Sequence, residues 1–212
     1  MRKAREDAAV VKERIERAAM RLFALRGSGA VSVAHVADEV GMSRQALLYH
    51  YGTKQALRDA VVGRTLRAGE RWFEGFVSGD GVRFDLDSLT EHFLNAYRAD
   101  PYVPGVILRE IVEDADSTTA RFQAESLPWR SNLNALIEAS KASGLIRPDV
   151  DADHWFDRTA LMLVTTLALP PRDGPPEPGT EDAATLHRQV REAIRIALTS
   201  VLVDPTPLLS GP

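Results

Sequence analysis

SVAHVADEVGMSRQALLYHYGTK, running from Ser32 to Lys54, decides how the rest of the chain is read. It predicts two short helices joined by a tight turn. Ser32 is suited to cap the first, because its hydroxyl can accept from a free backbone N–H of the opening turn. Val33, Val36, Ala37 and Val40 then repeat at helical spacing. Gly41 follows, where a residue ending a helix often takes positive φ. Ser43 is placed to cap the second helix. Leu47 and Leu48 supply its inner side, leaving Arg44, Gln45, Tyr49 and His50 for the outer one. Polar donors at the start of a second helix, after a glycine turn, are the pattern of a DNA-reading helix-turn-helix. The same pattern also fits an ordinary helical hairpin with a solvated second helix, so the flanking sequence has to discriminate.

The flanks do so. Ile15, Ala18, Ala19, Leu22, Phe23 and Gly27 precede the motif, and His50, Tyr51, Lys54 and Leu57 complete it, with Gly41-Met42-Ser43 at its centre. In order and spacing, Arg14 to Val62 resembles the N-terminal domain of the TetR (tetracycline-repressor) family of transcriptional regulators. One position departs. The family usually has Tyr-x-His-Phe before the loop leading to Lys, and Leu48, Tyr49, His50 and Tyr51 stand there. Leu48 thus replaces a tyrosine that commonly touches DNA phosphate. Either Tyr49 takes over part of that contact or the contact is missing.

Charge is distributed in keeping with this reading. The 212 residues carry a formal net charge of −4. Residues 1–64, however, hold 12 Lys and Arg against 7 Asp and Glu, so the acidic excess lies wholly in the remainder. A basic head on an acidic body concentrates positive potential where phosphates would bind and turns DNA away elsewhere. Hydrophobic residues make up 44%, enough for a real core. No apolar run approaches the roughly 20 residues needed to span a bilayer. The start, Met-Arg-Lys-Ala-Arg-Glu-Asp, has charge but no apolar stretch behind it, so no signal peptide is expected. Without cysteine there is no disulfide, thiolate metal site or thiol nucleophile. A cytoplasmic protein is expected, with no cofactor and no membrane partner.

The remaining chain predicts helices throughout. Met1–Asp7 reads as a flexible charged arm, followed by a helix over Ala8–Arg26 that ends at Gly27 and Gly29. Thr53 caps a long helix reaching about Val77, and Ser78–Gly81 breaks the chain. Further helices are expected over Asp87–Ala99, over Tyr102–Glu113 with an interruption near Pro104-Gly105, and over Ser117–Ser143 with a kink at Pro128. Asp151 or Asp153 opens a helix that is apolar nearly all round from Leu161 to Leu169. Pro170–Thr180 is a loop, and Asp182–Leu202 a last amphipathic helix. The predicted class is all-α, with a three-helix helix-turn-helix domain over residues 1–62 and a larger helical domain for ligand binding and dimerisation over 63–212. The last two helices of two chains can form a four-helix bundle, giving a homodimer that suits a palindrome. Dimerisation through those helices is also what the resemblance implies.

Arg44 and Gln45 are the candidates for reading bases, since Arg can take guanine O6 and N7 and Gln adenine N6 and N7. Tyr49 is placed for a thymine methyl or a phosphate. Ser32, Ser43, His50 and Lys54 are the candidates for phosphate positioning, with capping as the other role of the two serines. The resemblance also implies an effector pocket among the middle helices. Its candidates are Trp72, Phe76, Phe93, Tyr97, Tyr102, Ile107, Ile111, Phe122, Trp129, Leu133, Met162 and Thr166, with His92, Asn95, Arg109 and Glu110 as polar groups to orient a ligand. Such a list favours a moderately hydrophobic small molecule.

An enzyme is not expected. His35, His50, His92, His154 and His187 make no metal-binding spacing. Asp149, Asp151 and Asp153 alternate like the opening ligands of a calcium loop. His154 and Ala160 then stand where that loop needs Gly and Glu. No nucleophile elbow, phosphate loop or dinucleotide fingerprint is present. The expected function is a ligand-responsive regulator, a repressor released from its operator by the effector. The competing reading is a helical protein–protein adaptor that keeps the helix-turn-helix as scaffold.

Overall fold

The computed structural model describes residues 2–74, 85–113, 130–169 and 174–206. In chain order its helices are α1 (Arg2–Arg26), α2 (Val33–Val40), α3 (Arg44–Tyr51), α4 (Lys54–Glu74), α5 (Leu86–Ala99) and α6 (Val103–Glu113). They continue as α7 (described from 130 to 142), α8 (Ala152–Ala168) and α9 (Glu181–Thr199). The all-α expectation holds. The one β feature among the described residues is an isolated antiparallel bridge between Ile146 and Leu202.

The head follows from its caps. Gly27, at φ +80°, ends α1 by donating to the Phe23 carbonyl at 2.9 Å. The Ser32 hydroxyl accepts from His35 N, and Ser32 N donates to His35 Nδ1. This is a capping box with histidine in the place usually held by Glu or Gln. Gly41, at φ +76°, closes α2 through its N–H to Asp38 O, while Met42 N reaches Ala37 O. The pair of bonds is a Schellman ending, which a left-handed glycine permits. Ser43 and Thr53 cap α3 and α4 in turn. Ile15, Ala19 and Phe23 from α1, Val36 from α2, Leu47 from α3 and Leu57 and Val61 from α4 are all essentially inaccessible. Each large apolar side chain so buried contributes about 1.5–3 kcal/mol.

The body packs α8 against both α6 and α9, and α5 against α9. The Trp155 indole N–H donates to the Ala197 carbonyl at 3.0 Å, tying the start of α8 to the end of α9. Asp151 is the residue that caps α8, accepting from His154 N. After α9 the chain turns back, and Arg147 N donates to Val201 O while Val203 N donates to Leu145 O.

Four expectations are corrected. The helix expected from Ala8 begins at Arg2. Arg, Lys, Ala and Glu are good helix formers and nothing breaks the run. Helix α6 is continuous through Pro104-Gly105. Pro104 lies in the first turn, where its missing N–H has no intrahelical partner to lose. Gly105 faces Ala24 so closely that an added Cβ would lie 3.0 Å from the Ala24 Cβ. Helix α9 stops at Thr199 and not at Leu202, because Val201 and Leu202 bond to the segment before α8. Arg109 and Glu110, read as ligand-orienting groups, are committed elsewhere. Arg109 donates to Ala24 O and Leu25 O on α1, and Glu110 accepts from Arg58 on α4. The break at Ser78–Gly81, the kink at Pro128 and the positions of Phe76, Phe122 and Trp129 lie outside the described residues.

Candidate nucleic-acid interface

The second helix of the motif divides into two faces. Leu47 is inaccessible and Leu48 packs partly buried against the core, and these two form the inner side of α3. Arg44, Gln45 and Tyr49 are exposed, Tyr49 to 89%. Gln45 and Tyr49, four residues apart, share one face. Neither Arg44 nor Gln45 has a hydrogen bond or ion pair among the described residues, so both are available to an external partner. Tyr49 meets the His50 ring edge to face at 5.6 Å between centroids.

A cleft runs beside this face. It is lined by the loop and opening turn from Gly29 to Ala34, together with Arg44 and Lys54. The starts of α2, α3 and α4 therefore meet along one concave surface. Free N–H groups and the positive end of each helix dipole favour anions there. Lys54 has a second task. Its Nζ donates to the Gly29 carbonyl at 3.2 Å, tying the α1–α2 loop to α4 and leaving two ammonium protons. Ser32 and Ser43 are exposed and serve as caps. His50 is partly buried.

Sequence reasoning missed two features. His35 closes the capping box through Nδ1, so its neutral ring carries its proton on Nε2. The signal was its position three residues after Ser32. Tyr51 is a brace between α3 and α1. Its hydroxyl reaches the Glu16 carboxylate at 3.0 Å and the Lys12 carbonyl at 3.3 Å, and the Lys12 ammonium lies 5.7 Å from the ring centre. Burial, then the Glu16 carboxylate, pushes the Tyr51 phenol well above the usual tyrosine range, so it stays protonated. Arg14 donates to Val40 O, and Arg21 pairs with Glu39 at 2.8 Å, which fixes α2 to α1 from the other side.

In the body, Trp72, Phe93, Tyr97 and Leu133 are buried in the hydrophobic core, while Tyr102, Ile107, Ile111, Met162 and Thr166 are partly accessible. His92 bonds through Nε2 to Trp72 O at 2.8 Å, and Asn95 accepts from Arg98. A separate cleft of about 240 Å³ lies where α1, α6 and α8 meet; Arg109 lines it, and none of the other described pocket candidates does. No helix among the described residues is long and apolar enough to cross a membrane.

Three comparisons bear on this geometry. Residues 15–61, which span α1 to α4, match the model of the bacterial regulatory proteins of the tetR family. The chain is 26% identical over 163 residues to the HTH-type transcriptional repressor AcnR of Corynebacterium jeikeium, covering 76% of this chain and 82% of that protein. The fold resembles that of a TetR family transcription regulator from Marinobacter aquaeolei, with a TM-score of 0.64, 21% identity and coverage of 95% and 99% of the two chains. It also resembles the TetR family regulator PfmR of Thermus thermophilus, with a TM-score of 0.65, 20% identity and coverage of 87% and 97%. The capped helix-turn-helix and its open Arg44–Gln45–Tyr49 face lie within the residues that match, so residues 15–61 form a helix-turn-helix domain like that of the tetR family of bacterial regulatory proteins.

Proposed function

We propose that the protein is a ligand-responsive repressor that binds a palindromic operator as a homodimer and leaves it when a small hydrophobic effector occupies the body. The observation that carries the DNA-reading part is the exposed, unpartnered Arg44–Gln45 pair opening α3, beside a cleft that gathers Ser32, Arg44 and Lys54. Arg44 and Gln45 read base edges in the major groove, with Tyr49 one turn further on. Ser32, Ser43, His50 and Lys54 position the head on phosphates. Residues 1–62 form the DNA-binding unit and 63–212 the effector and dimer unit.

Dimerisation through α8 and α9 is supported by Leu161 and Ile196, each 46% exposed on a single chain, and by Leu169 at the end of α8. Apolar side chains on two packed neighbouring helices suit a four-helix bundle with a second copy. For the effector, the best-supported candidates are the partly accessible Tyr102, Ile107 and Ile111, the last two on α6, and Met162 and Thr166 on α8, a helix that packs against α6. Trp72, Phe93, Tyr97 and Leu133 belong to the core. An effector that prefers one head separation shifts the population toward it, and only one separation fits two half-sites. The regulator works where the DNA is, in the cytoplasm.

The test is operator selection from random DNA, followed by titration of Arg44→Ala and Lys54→Ala on specific and random duplexes across salt. Arg44→Ala is expected to cost about 1–3 kcal/mol on the selected operator and much less on random DNA. Lys54→Ala is expected to weaken both alike and to reduce the salt slope by about one. Equal losses on both duplexes for Arg44→Ala remove it from base reading. Recovery of no sequence at all leaves the adaptor reading in its place.

A further inference from the structure

One face of α6 grips the head at three separate points. Arg109 donates through Nε to Ala24 O and through its terminal nitrogen to Leu25 O, both at 2.7 Å. These are among the last carbonyls of α1, which have no partner inside their own helix. One residue on, Glu110 is 3% exposed and pairs with Arg58 of α4 at 2.5 Å. One turn beyond Arg109, Glu113 accepts from the buried Ser28 hydroxyl at 2.9 Å, in the α1–α2 loop. At the other end of the same stripe, Gly105 lets α6 lie against Ala24. Helix α6 also packs on α8.

Three charge-assisted contacts to three different parts of the head fix rotation as well as distance, because such bonds are short and directional. A greasy contact alone would let the head swivel. We propose that Arg109, Glu110 and Glu113 are positioning residues for DNA reading. Through them α6 sets the angle of the head relative to α8, and so the spacing of the two recognition helices in the dimer. The proposal rests on the dimeric-regulator reading above for its link to half-site spacing. The grip itself is independent of that reading. None of the three residues touches DNA; they act through α1, the α1–α2 loop and α4.

The chain has no cysteine, so spin labels can be placed at will. Asp38→Cys on α2 and Ala142→Cys on α7, both exposed, give one distance between head and body. Labelled chains diluted into unlabelled ones keep that distance within one protomer. With Arg109→Gln, and separately with Glu110→Gln, which keeps the shape of the buried side chain, the distance distribution is expected to broaden or shift while helicity is retained. Arg109→Lys, which can still donate to both carbonyls, is expected to fall between. On DNA, the same Gln variants are expected to lose roughly 2- to 30-fold on the native half-site spacing. They should lose less on operators lengthened or shortened by one base pair, and the salt slope should not change. If both Gln variants keep the wild-type distance distribution and spacing preference, the proposal is overturned, whatever happens to their thermal stability. A wild-type protein that selects no operator defeats the regulator reading, and the distance measurement still decides the grip.

Discussion

Tyr51→Phe is the substitution with the sharpest expected outcome. Phenylalanine is what the family resemblance leads one to expect at this position, so the change looks innocuous. The ring survives, the α3–α1 packing is kept, and no cavity forms. What is lost is a hydroxyl that reaches Glu16 at 3.0 Å and the Lys12 carbonyl at 3.3 Å. A hydrogen bond to a charged group contributes about 1.5–3 kcal/mol. Glu16 keeps Arg64 at 3.5 Å and is 21% exposed, so its carboxylate is not left stranded. The expected loss is therefore at or just below the bottom of that range, about 1–1.5 kcal/mol. For a chain of this size that lowers the melting temperature by about 2–4 °C per kcal/mol. The assay is urea unfolding of wild type, Tyr51→Phe, Glu16→Ala and the double variant. A coupling energy within about 0.3 kcal/mol of zero refutes the brace. There is also a pH signature. The folded phenol is held protonated above its unfolded value. Its contribution is thus fully present below the unfolded value of about 10 and lost as pH rises through the folded one. The stability gap between wild type and Tyr51→Phe should shrink as pH climbs above about 10.

Other outcomes follow from the same geometry. Gly27→Ala puts a side chain at φ +80° and a Cβ 2.6 Å from Glu113 Oε1. It should cost about 1–3 kcal/mol in chemical denaturation. Ser43→Ala removes the cap of α3 and should cost about 1 kcal/mol, with a matching drop in operator affinity measured by anisotropy. Leu161→Glu combined with Ile196→Glu puts like charges on the proposed dimer face. Sedimentation should then show monomers, while random-DNA binding by the head persists. The Asp151 carboxyl is held below the usual carboxylate range, first by the His154 backbone N–H. Its support for α8 is present above the unfolded value and fades as pH falls through the folded one. Asp151→Asn should therefore differ from wild type at neutral pH and match it in strong acid, by circular dichroism.

The head was legible because its signals are local. Ser32, Gly41, Ser43 and Thr53 act within four residues of themselves, and the cap geometry matches each. The exposed face of α3 followed once Leu47 and Leu48 were assigned inward. Tyr51 and Arg109 were not legible, because their partners lie 35 and 85 positions away. Nothing in local spacing separates an arginine that orients a ligand from one that caps another helix. Pro104-Gly105 misled for a related reason. The pair reads as a break in isolation, yet Pro104 sits in a first turn and Gly105 is small because Ala24 crosses it. The pocket candidates suffered from the ambiguity of apolar side chains on helices. Phe93 and Met162 have the same period, and only packing distinguishes the buried one from the accessible one.

The placement of the tryptophans has a practical consequence. Trp72, Trp129 and Trp155 all follow residue 62, and the head contains none. Trp155 holds the Ala197 carbonyl beside Ile196, and Trp72 is buried on α4. Intrinsic indole emission therefore reports chiefly on the body, and on the head only through α4, which carries Trp72. Far-ultraviolet dichroism sums both. Recorded together during one thermal ramp, the two signals would separate if the units melt independently and superimpose if they melt as one. The unmodified chain thus carries its own two-channel thermometer.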